Sequence, residues 1–308
     1  MDGILPLWKE RGMTSHDCVS KLRKILHTKK VGHGGTLDPD VDGILPICIG
    51  KATKVVEFLT DSGKEYEGEI TLGYATNTED AAGEVIQQDA LPTPFTNEAI
   101  DQAIQTLVGQ IVQTPPMYSA VKVNGKRLYE YARQGEDVER PQRKVMIHSF
   151  FRTDASVYNE KEQLQSWHFR VACQKGTYVR TLAVDTGKVL GVSAHMSDLT
   201  RTKSAYFTAE QAVTLNQVKA VMEKGNIENI LFPLEYGVQR FQRIDISDAL
   251  WQKVKNGMRL PYQAFQLEEL PKKPVAVFYK NQVVSLYEPN KNEKDGLKPL
   301  KVLKNEIS

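Results

Sequence analysis

What most restricts this chain is the order in which strand-like and helix-like periodicities follow one another. Residues 66–74, YEGEITLGY, alternate, with Tyr66, Gly68, Ile70 and Leu72 on one side. Trp167, Phe169, Val171 and Cys173 form a second alternating run. It passes through Lys175-Gly176 into a predicted helix that buries Leu182, Ala183, Val189 and Leu190 and ends at Gly191. Thr14-Ser15-His16-Asp17 reads as a helix start, with Val19, Leu22, Ile25 and Leu26 on one face. Another helix is predicted over about 97–108, from Asn97 through Ile100, Ala103, Ile104 and Leu107 to a stop at Gly109. These elements do not alternate as regular βαβ units. The order therefore predicts an α+β fold on a large, mostly antiparallel sheet flanked by helices.

Two segments stand apart from that frame. Residues 121–146 are polar, basic and tyrosine-bearing, which predicts a surface excursion. From about 245 a short helix (Ala249, Leu250, Val254) ends near Gly257, and strand-like VAVFY and QVVSLY follow. The expected division is a main unit over 1–244 and a small β-rich domain over 245–308, with no internal repeat.

No run of 18 apolar residues occurs, so no membrane-spanning helix is expected. The amino terminus lacks the layout of a secretory signal, and a cytoplasmic protein is expected. Cys18, Cys48 and Cys173 are odd in number and far apart, which argues against disulfides or a zinc site and for small buried hydrophobes. Net charge is only +2, but the cations cluster. Residues 1–30 hold seven Lys or Arg against three acids, 120–145 seven against four, and 170–203 six against two. Such patches suit either phosphate neutralisation or a solvated lysine-rich face.

The most unusual segment runs from Gly32 to Pro46, GHGGTLDPDVDGILP. Its glycines permit tight turns and close approach of a ligand, and Pro39 forces Asp38 out of the helical region. A carboxylate fixed on such a loop suits a nucleophile or a base. From the residues alone, Asp38, Asp40 and Asp42 remain equally readable as turn aspartates. A calcium loop lacks its glutamate at the twelfth position.

GHGGTLDPDVDGILPICIGKATK resembles the catalytic motif of the TruB family, synthases that make pseudouridine in the T-loop of tRNA. Four further segments match in the same order. They are Gly3 with Lys9, Gly12, Thr14 and Ser15; Lys64-Glu65-Tyr66 with Gly73, Thr76, Thr78, Asp80 and Gly83; QTPPMYSAVK from Gln113 with Gly125 and Arg127; and CQKGTYVRTL from Cys173 with His195 and Leu199-Thr200-Arg201-Thr202. The resemblance covers about residues 3–210, and more loosely the carboxy-terminal region, which is similar to the family's PUA-type RNA-binding domain.

The resemblance implies the pseudouridine synthase catalytic fold with 121–146 as an RNA-gripping insertion. It implies Asp38 as the essential aspartate, Arg180 as its ion-pair partner and Tyr66 as the residue that stacks on uracil. Tyr178 and Leu199 would sandwich a flipped base, and His33 would fill the space it leaves. Lys64 joins the substrate-binding set with its motif. Lys21, Arg23, Lys24, Lys126, Arg127, Arg143 and Lys144 are the phosphate-contact candidates. The isomerisation involves no net redox or phosphoryl chemistry, so no cofactor or metal is expected. The expected partner is tRNA, at its T-arm and elbow, for a monomer needing no protein partner.

Gly34 stands where the family usually has threonine, Gln174 where serine is common and Ala205 where glycine is frequent. Three alternatives carry different expectations. A synthase guided by small RNAs would have longer terminal extensions, a tRNA-folding helper would bind without catalysis, and a hydrolase using Asp38, Asp40 and Asp42 would be chelator-sensitive.

Overall fold

A computed structural model describes residues 1–307. The main sheet runs in the order Gly3–Lys9, Asp42–Ile49, Ala194–Ser204, Lys64–Leu72, Leu164–Cys173, Arg143–Arg152, Gly109–Gln113. All these neighbours are antiparallel except Ala194–Ser204 on Asp42–Ile49. The two clearest alternating runs, around Tyr66 and Trp167, are adjacent central strands, with Ile70 opposite Trp167. Helix Ser15–Ile25 starts where the sequence places it, Asn97–Thr106 matches the expected 97–108 within two residues at each end, and Val179–Leu190 stops before Gly191 as expected. Each boundary has a local cause. Thr14 and Asp17 form a reciprocal capping box, Thr96 caps the second helix, and Gly191 closes the third in the left-handed region (φ 78°).

The sheet forks where the unusual loop lies. Asp42–Ile49 pairs along one edge with Gly3–Lys9. Along its other edge, residues 47–49 pair with Val31–His33, and Asp42 and Gly43 pair with Thr200 and Arg201. The carbonyls left in the fork are taken by Gly34 N, which donates to Pro46 O (2.8 Å), and by Arg201 Nε, which donates to Ile44 O (2.7 Å). Residues 34–41 emerge from this fork. A Cβ on Gly43 would stand 2.2 Å from Arg201 O, so the two strands can approach only because residue 43 is glycine.

Two segment boundaries require correction. The excursion at 121–146 contains a hairpin (Lys122–Val123 with Lys126–Arg127) and the helix Leu128–Gln134, but its last residues belong to the main sheet. Arg143–Arg152 is a full strand because Val145 and Ile147 alternate inward against the core. The carboxy-terminal sheet begins before 245, since Gln242–Asp245 pairs in parallel with Val275–Phe278 and buries Ile244. Its strand order is Gln242–Asp245, Val275–Tyr279, Gln282–Pro289, Gly296–Val302, Leu260–Pro261. It is also less separate than its composition suggests. Ala276, Phe278, Val283 and Leu286 share one core with Ile4, Ile44 and Val55 of the main unit.

All three cysteines are free and buried, and burial pushes the Cys48 and Cys173 thiols up to about 12 and about 11. No helix among the described residues is long and apolar enough to cross a membrane. Ala205 occupies the first position of a two-residue turn between Ser204 and Phe207 at φ 55°, which explains why glycine suits the site. Ala205→Gly should be near neutral, within about 1 kcal/mol, because relief of the left-handed strain is offset by lost methyl burial and chain entropy. Ala205→Val should cost roughly 2–3 kcal/mol, since a branched side chain meets both the strain and a filled core. Thermal melts of the two variants check this, and equal Tm values would contradict it.

Candidate active site

The loop carrying Asp38 is held from several sides. Ser15 Oγ accepts from Leu37 N (2.9 Å) and donates to Leu37 O (3.2 Å). Lys9, fully buried, donates to Pro39 O (3.1 Å), Met13 O (2.8 Å) and Glu10 O (3.1 Å). Gly12 N adds a bond to Pro39 O (3.0 Å), and Arg201 donates to Thr36 O (3.2 Å) and Gly35 O (3.3 Å). With Pro39 restricting the residue before it, the backbone at Asp38 has little freedom left.

Asp38 Oδ2 lies 3.0 Å from Arg180 Nη2. Arg180 sits in the first turn of Val179–Leu190, and its guanidinium is tied down on every side. Nη1 donates to Thr78 O (2.7 Å) and lies 3.4 Å from Asp80 Oδ2, while Nη2 also donates to Tyr118 O (3.0 Å). The ion pair is asymmetric in depth. The Arg180 side chain is 6% exposed, whereas that of Asp38 is 46% exposed. A buried, immobile cation thus presents a reachable carboxylate, held in place by a charge-assisted contact.

Asp38 opens on a cavity of about 250 Å3 that Lys64, Tyr66, Tyr178, Arg180 and Leu199 also line. That is below the roughly 300–1,000 Å3 of pockets for drug-sized ligands and suits one flat ring. Tyr66 and Leu199 come from adjacent strands, and Gly68 lets them close up, since a Cβ there would be 2.9 Å from Leu199 Cδ1. Burial raises the Tyr66 phenol's pKa, and the charge and hydrogen bonding of the Arg201 guanidinium beside it act the other way. Tyr178 is fixed through its backbone, with Gln113 Oε1 accepting from its N (3.0 Å) and Gln113 Nε2 donating to its O (3.1 Å). Ser119 also lines the cavity, with its hydroxyl buried and without a protein partner.

The other candidates lie elsewhere. His33 is on the Val31–His33 strand beside the fork, outside the cavity lining, with Nδ1 buried and unpartnered. Burial chiefly lowers its pKa, against a backbone bond at Gly35. Its neighbour Gly34 is packed closely, and a Cβ there would meet Leu59 Cβ at 3.2 Å, so a threonine would need Leu59 to shift slightly. Lys21, Arg23 and Lys24 are exposed on the outer face of Ser15–Ile25, with Arg23 also donating to Val31 O (3.2 Å). Lys126 is paired with Glu136 (2.7 Å) and Arg127 donates to Tyr129 Oη (2.8 Å). Arg143 lies over the Tyr178 ring at the cavity rim, 5.5 Å from its centroid, and Lys144 is exposed beside it.

The three neighbouring aspartates do not converge. Asp38 faces Arg180, Asp42 accepts from Thr200 Oγ1 (2.6 Å) and faces Arg11, and Asp40 is exposed. Sequence reasoning gave no role to Lys9, Ser15, Asp80, Gln113, Ser119 or Arg201. All but Ser119 act on backbone or on another side chain, and the useful signal was a charge, Lys9 or Arg201, inside an otherwise inward-facing strand position.

Comparison with known proteins gives concordant matches. The family model for the amino-terminal domain of TruB family pseudouridylate synthases matches residues 23–179. That for the carboxy-terminal domain of tRNA pseudouridylate synthase B matches residues 180–239. The chain is 52% identical to tRNA pseudouridine synthase B of Lactiplantibacillus plantarum, over 98% of each chain. It is 50% identical to the protein of that name from Listeria monocytogenes, again over 98% of each. Among solved structures, it is similar to one of a Cbf5-Nop10-Gar1 complex, with TM-score 0.75, 28% identity, and coverage of 98% of this chain and 85% of that one.

Proposed function

This chain belongs to the TruB family of pseudouridylate synthases and isomerises uridine to pseudouridine; from that premise we propose that its target is the T-loop uridine of tRNA, uridine 55, with Asp38 as the essential catalytic group. The observation that carries the reading is the reachable Asp38 carboxylate, paired at 3.0 Å with a buried arginine, at the mouth of a cavity sized for one base.

A uridine inside a folded loop is out of reach of such a cavity, so it is flipped out, at a cost of a few kcal/mol in lost stacking. Tyr66, Tyr178 and Leu199 receive the ring. His33 fills the space vacated in the RNA or stacks on a neighbouring base. Arg180 holds Asp38 aimed at the sugar while the N1–C1′ bond is exchanged for C5–C1′. Tyr66 is placed to take part in removing the C5 proton.

Lys21, Arg23, Lys24, Lys126, Arg127, Arg143 and Lys144 contact phosphates of the T-arm and elbow, with Lys126 weakened by its pairing to Glu136. The carboxy-terminal sheet acts as a PUA-like RNA-binding domain. The enzyme works as a cytoplasmic monomer with no cofactor and no obligate protein partner. Relatives that share nearly its whole length are named as tRNA enzymes, which supports tRNA over a guide-directed substrate.

Unmodified tRNA transcript treated with the protein, derivatised with carbodiimide and read by primer extension should show one new stop, at uridine 55. Stops only outside the T-loop would overturn the assignment of the target.

A further inference from the structure

Two buried cations lie against the base cavity with no acidic partner. Lys64 lines the cavity and is 8% exposed, and its Nζ donates to Thr60 O (2.9 Å) and Ser62 O (3.2 Å). Arg201 is fully buried behind the lining residue Tyr66, whose hydroxyl it stands beside, and it donates to the carbonyls of Ile44, Thr36 and Gly35. The nearby acids are engaged elsewhere, Asp61 with Lys175 and Arg240, and Glu65 with Lys203. Neither Lys64 nor Arg201 forms an ion pair among the described residues. A Cβ built on Gly35 would come within 3.9 Å of Lys64 Nζ and 3.8 Å of Arg201 Nη1, so both heads close on one side of one backbone atom. Gly35 itself is at φ 125°, a conformation that glycine alone adopts readily.

Unpaired buried charges are costly unless something of opposite sign arrives. The arriving group must fit a slot between Tyr66 and Leu199, which suits a flat ring better than a tetrahedral phosphate. It must also reach deeper than Asp38, which is half-exposed while Lys64 is buried. The uracil ring meets both conditions, and during the reaction it becomes negative. We propose that Lys64, backed by Arg201, is a catalytic electrostatic group that stabilises the uracil ring as an anion once its glycosidic bond is broken. The proposal rests on the assignment of this cavity to the reacting uridine.

The electrons balance as follows. When N1–C1′ breaks, its pair stays on the base, spread over N1, O2 and O4, and the positive charge left on the sugar is met by Asp38. When C5 then bonds to C1′, the ring supplies that pair back. The C5 proton leaves and N1 gains one, with no net change in charge or oxidation state. Lys64 is needed between those two events. Arg201 acts through position, fixing Gly35 and Thr36 and adding to the same field.

Lys64 also gives this role a pH signature. Burial foremost, then repulsion by Arg201 and Lys175 against attraction by Cys173 and Asp61, brings its ammonium down to about 8. It is charged at neutral pH and loses its charge as pH rises through that value, so the rate should fall above pH 8.

The test is single-turnover release of tritium from tRNA labelled at uridine C5, across pH 6–10, with tRNA binding measured in parallel. Lys64→Met should slow release at pH 7 by about 100- to 1,000-fold, the range for removing one charge-stabilising donor, with affinity within about threefold. Lys64→Arg should keep about a tenth or more of the rate at pH 7 and lose the alkaline fall. If Lys64→Met gives no cooperative melt, the arginine pH profile decides. A methionine variant within threefold of wild type, a loss of binding that matches the loss of rate, or an arginine variant that falls in alkali like wild type would overturn the proposal. Wild type that releases no tritium would count instead against the assignment of the cavity.

Discussion

Asp38→Asn is expected to reduce pseudouridine formation by roughly 10,000-fold or more, the scale on which single essential groups act, while tRNA affinity stays within a few-fold. The substitution is nearly isosteric, and the loop is fixed by Ser15, Lys9, Gly12 and Arg201 through backbone atoms, none of which it touches. What disappears is the negative charge at the cavity mouth. Single-turnover conversion and filter binding, measured on the same preparation, separate the two effects. A parallel loss of binding would mean that Asp38 grips RNA rather than acting on it. Residual turnover near wild type would make the protein's chemistry independent of the carboxylate altogether.

Arg180→Met is the second large effect, and it falls on stability as well as rate. The guanidinium serves Asp38, Asp80, Thr78 O and Tyr118 O at once, and the side chain is 6% exposed. Removing it takes away the cation beside Asp80, itself 21% exposed and left with its bonds from Thr78 Oγ1 and Ala82 N, and leaves two carbonyls without a donor. Breaking a buried pair on one side costs about 3–5 kcal/mol, and the openness of Asp38 places this case at the lower end. At about 2–4 °C per kcal/mol, Tm should fall by roughly 6–12 °C. The rate should fall by about 1,000-fold or more, because Asp38 is then no longer aimed by its partner. Adding Asp80→Asn should recover part of the lost stability, since the two sites share one network. A Tm within 2 °C of wild type would show that the four contacts contribute nothing in solution.

How much of this could be seen in the sequence depended on whether a residue's role leaves a periodic or chemical trace. The central strands around Tyr66 and Trp167 were visible because one of their faces is polar, so alternation survives. Gly3–Lys9 and Asp42–Ile49 are buried almost throughout and read only as apolar runs, which cannot be told from helix core by period. Asp38, Tyr66 and Arg180 stood out through a family resemblance, and the structure brings them around one cavity from three distant segments. The small sheet was anticipated, but Gln242–Asp245 was missed because three of its four residues are polar and exposed. Lys9 and Arg201 could not be interpreted from sequence. Their partners are main-chain carbonyls, and a carbonyl has no letter in the sequence.

The most direct measurement of the central claim uses a T-arm stem-loop carrying tritium at C5 of uridine 55 alone, incubated with purified protein in excess EDTA. Stoichiometric release by wild type, with none above background from Asp38→Asn, is the predicted result. Release that EDTA abolishes, or that Asp38→Asn retains, would contradict a metal-free isomerisation centred on Asp38.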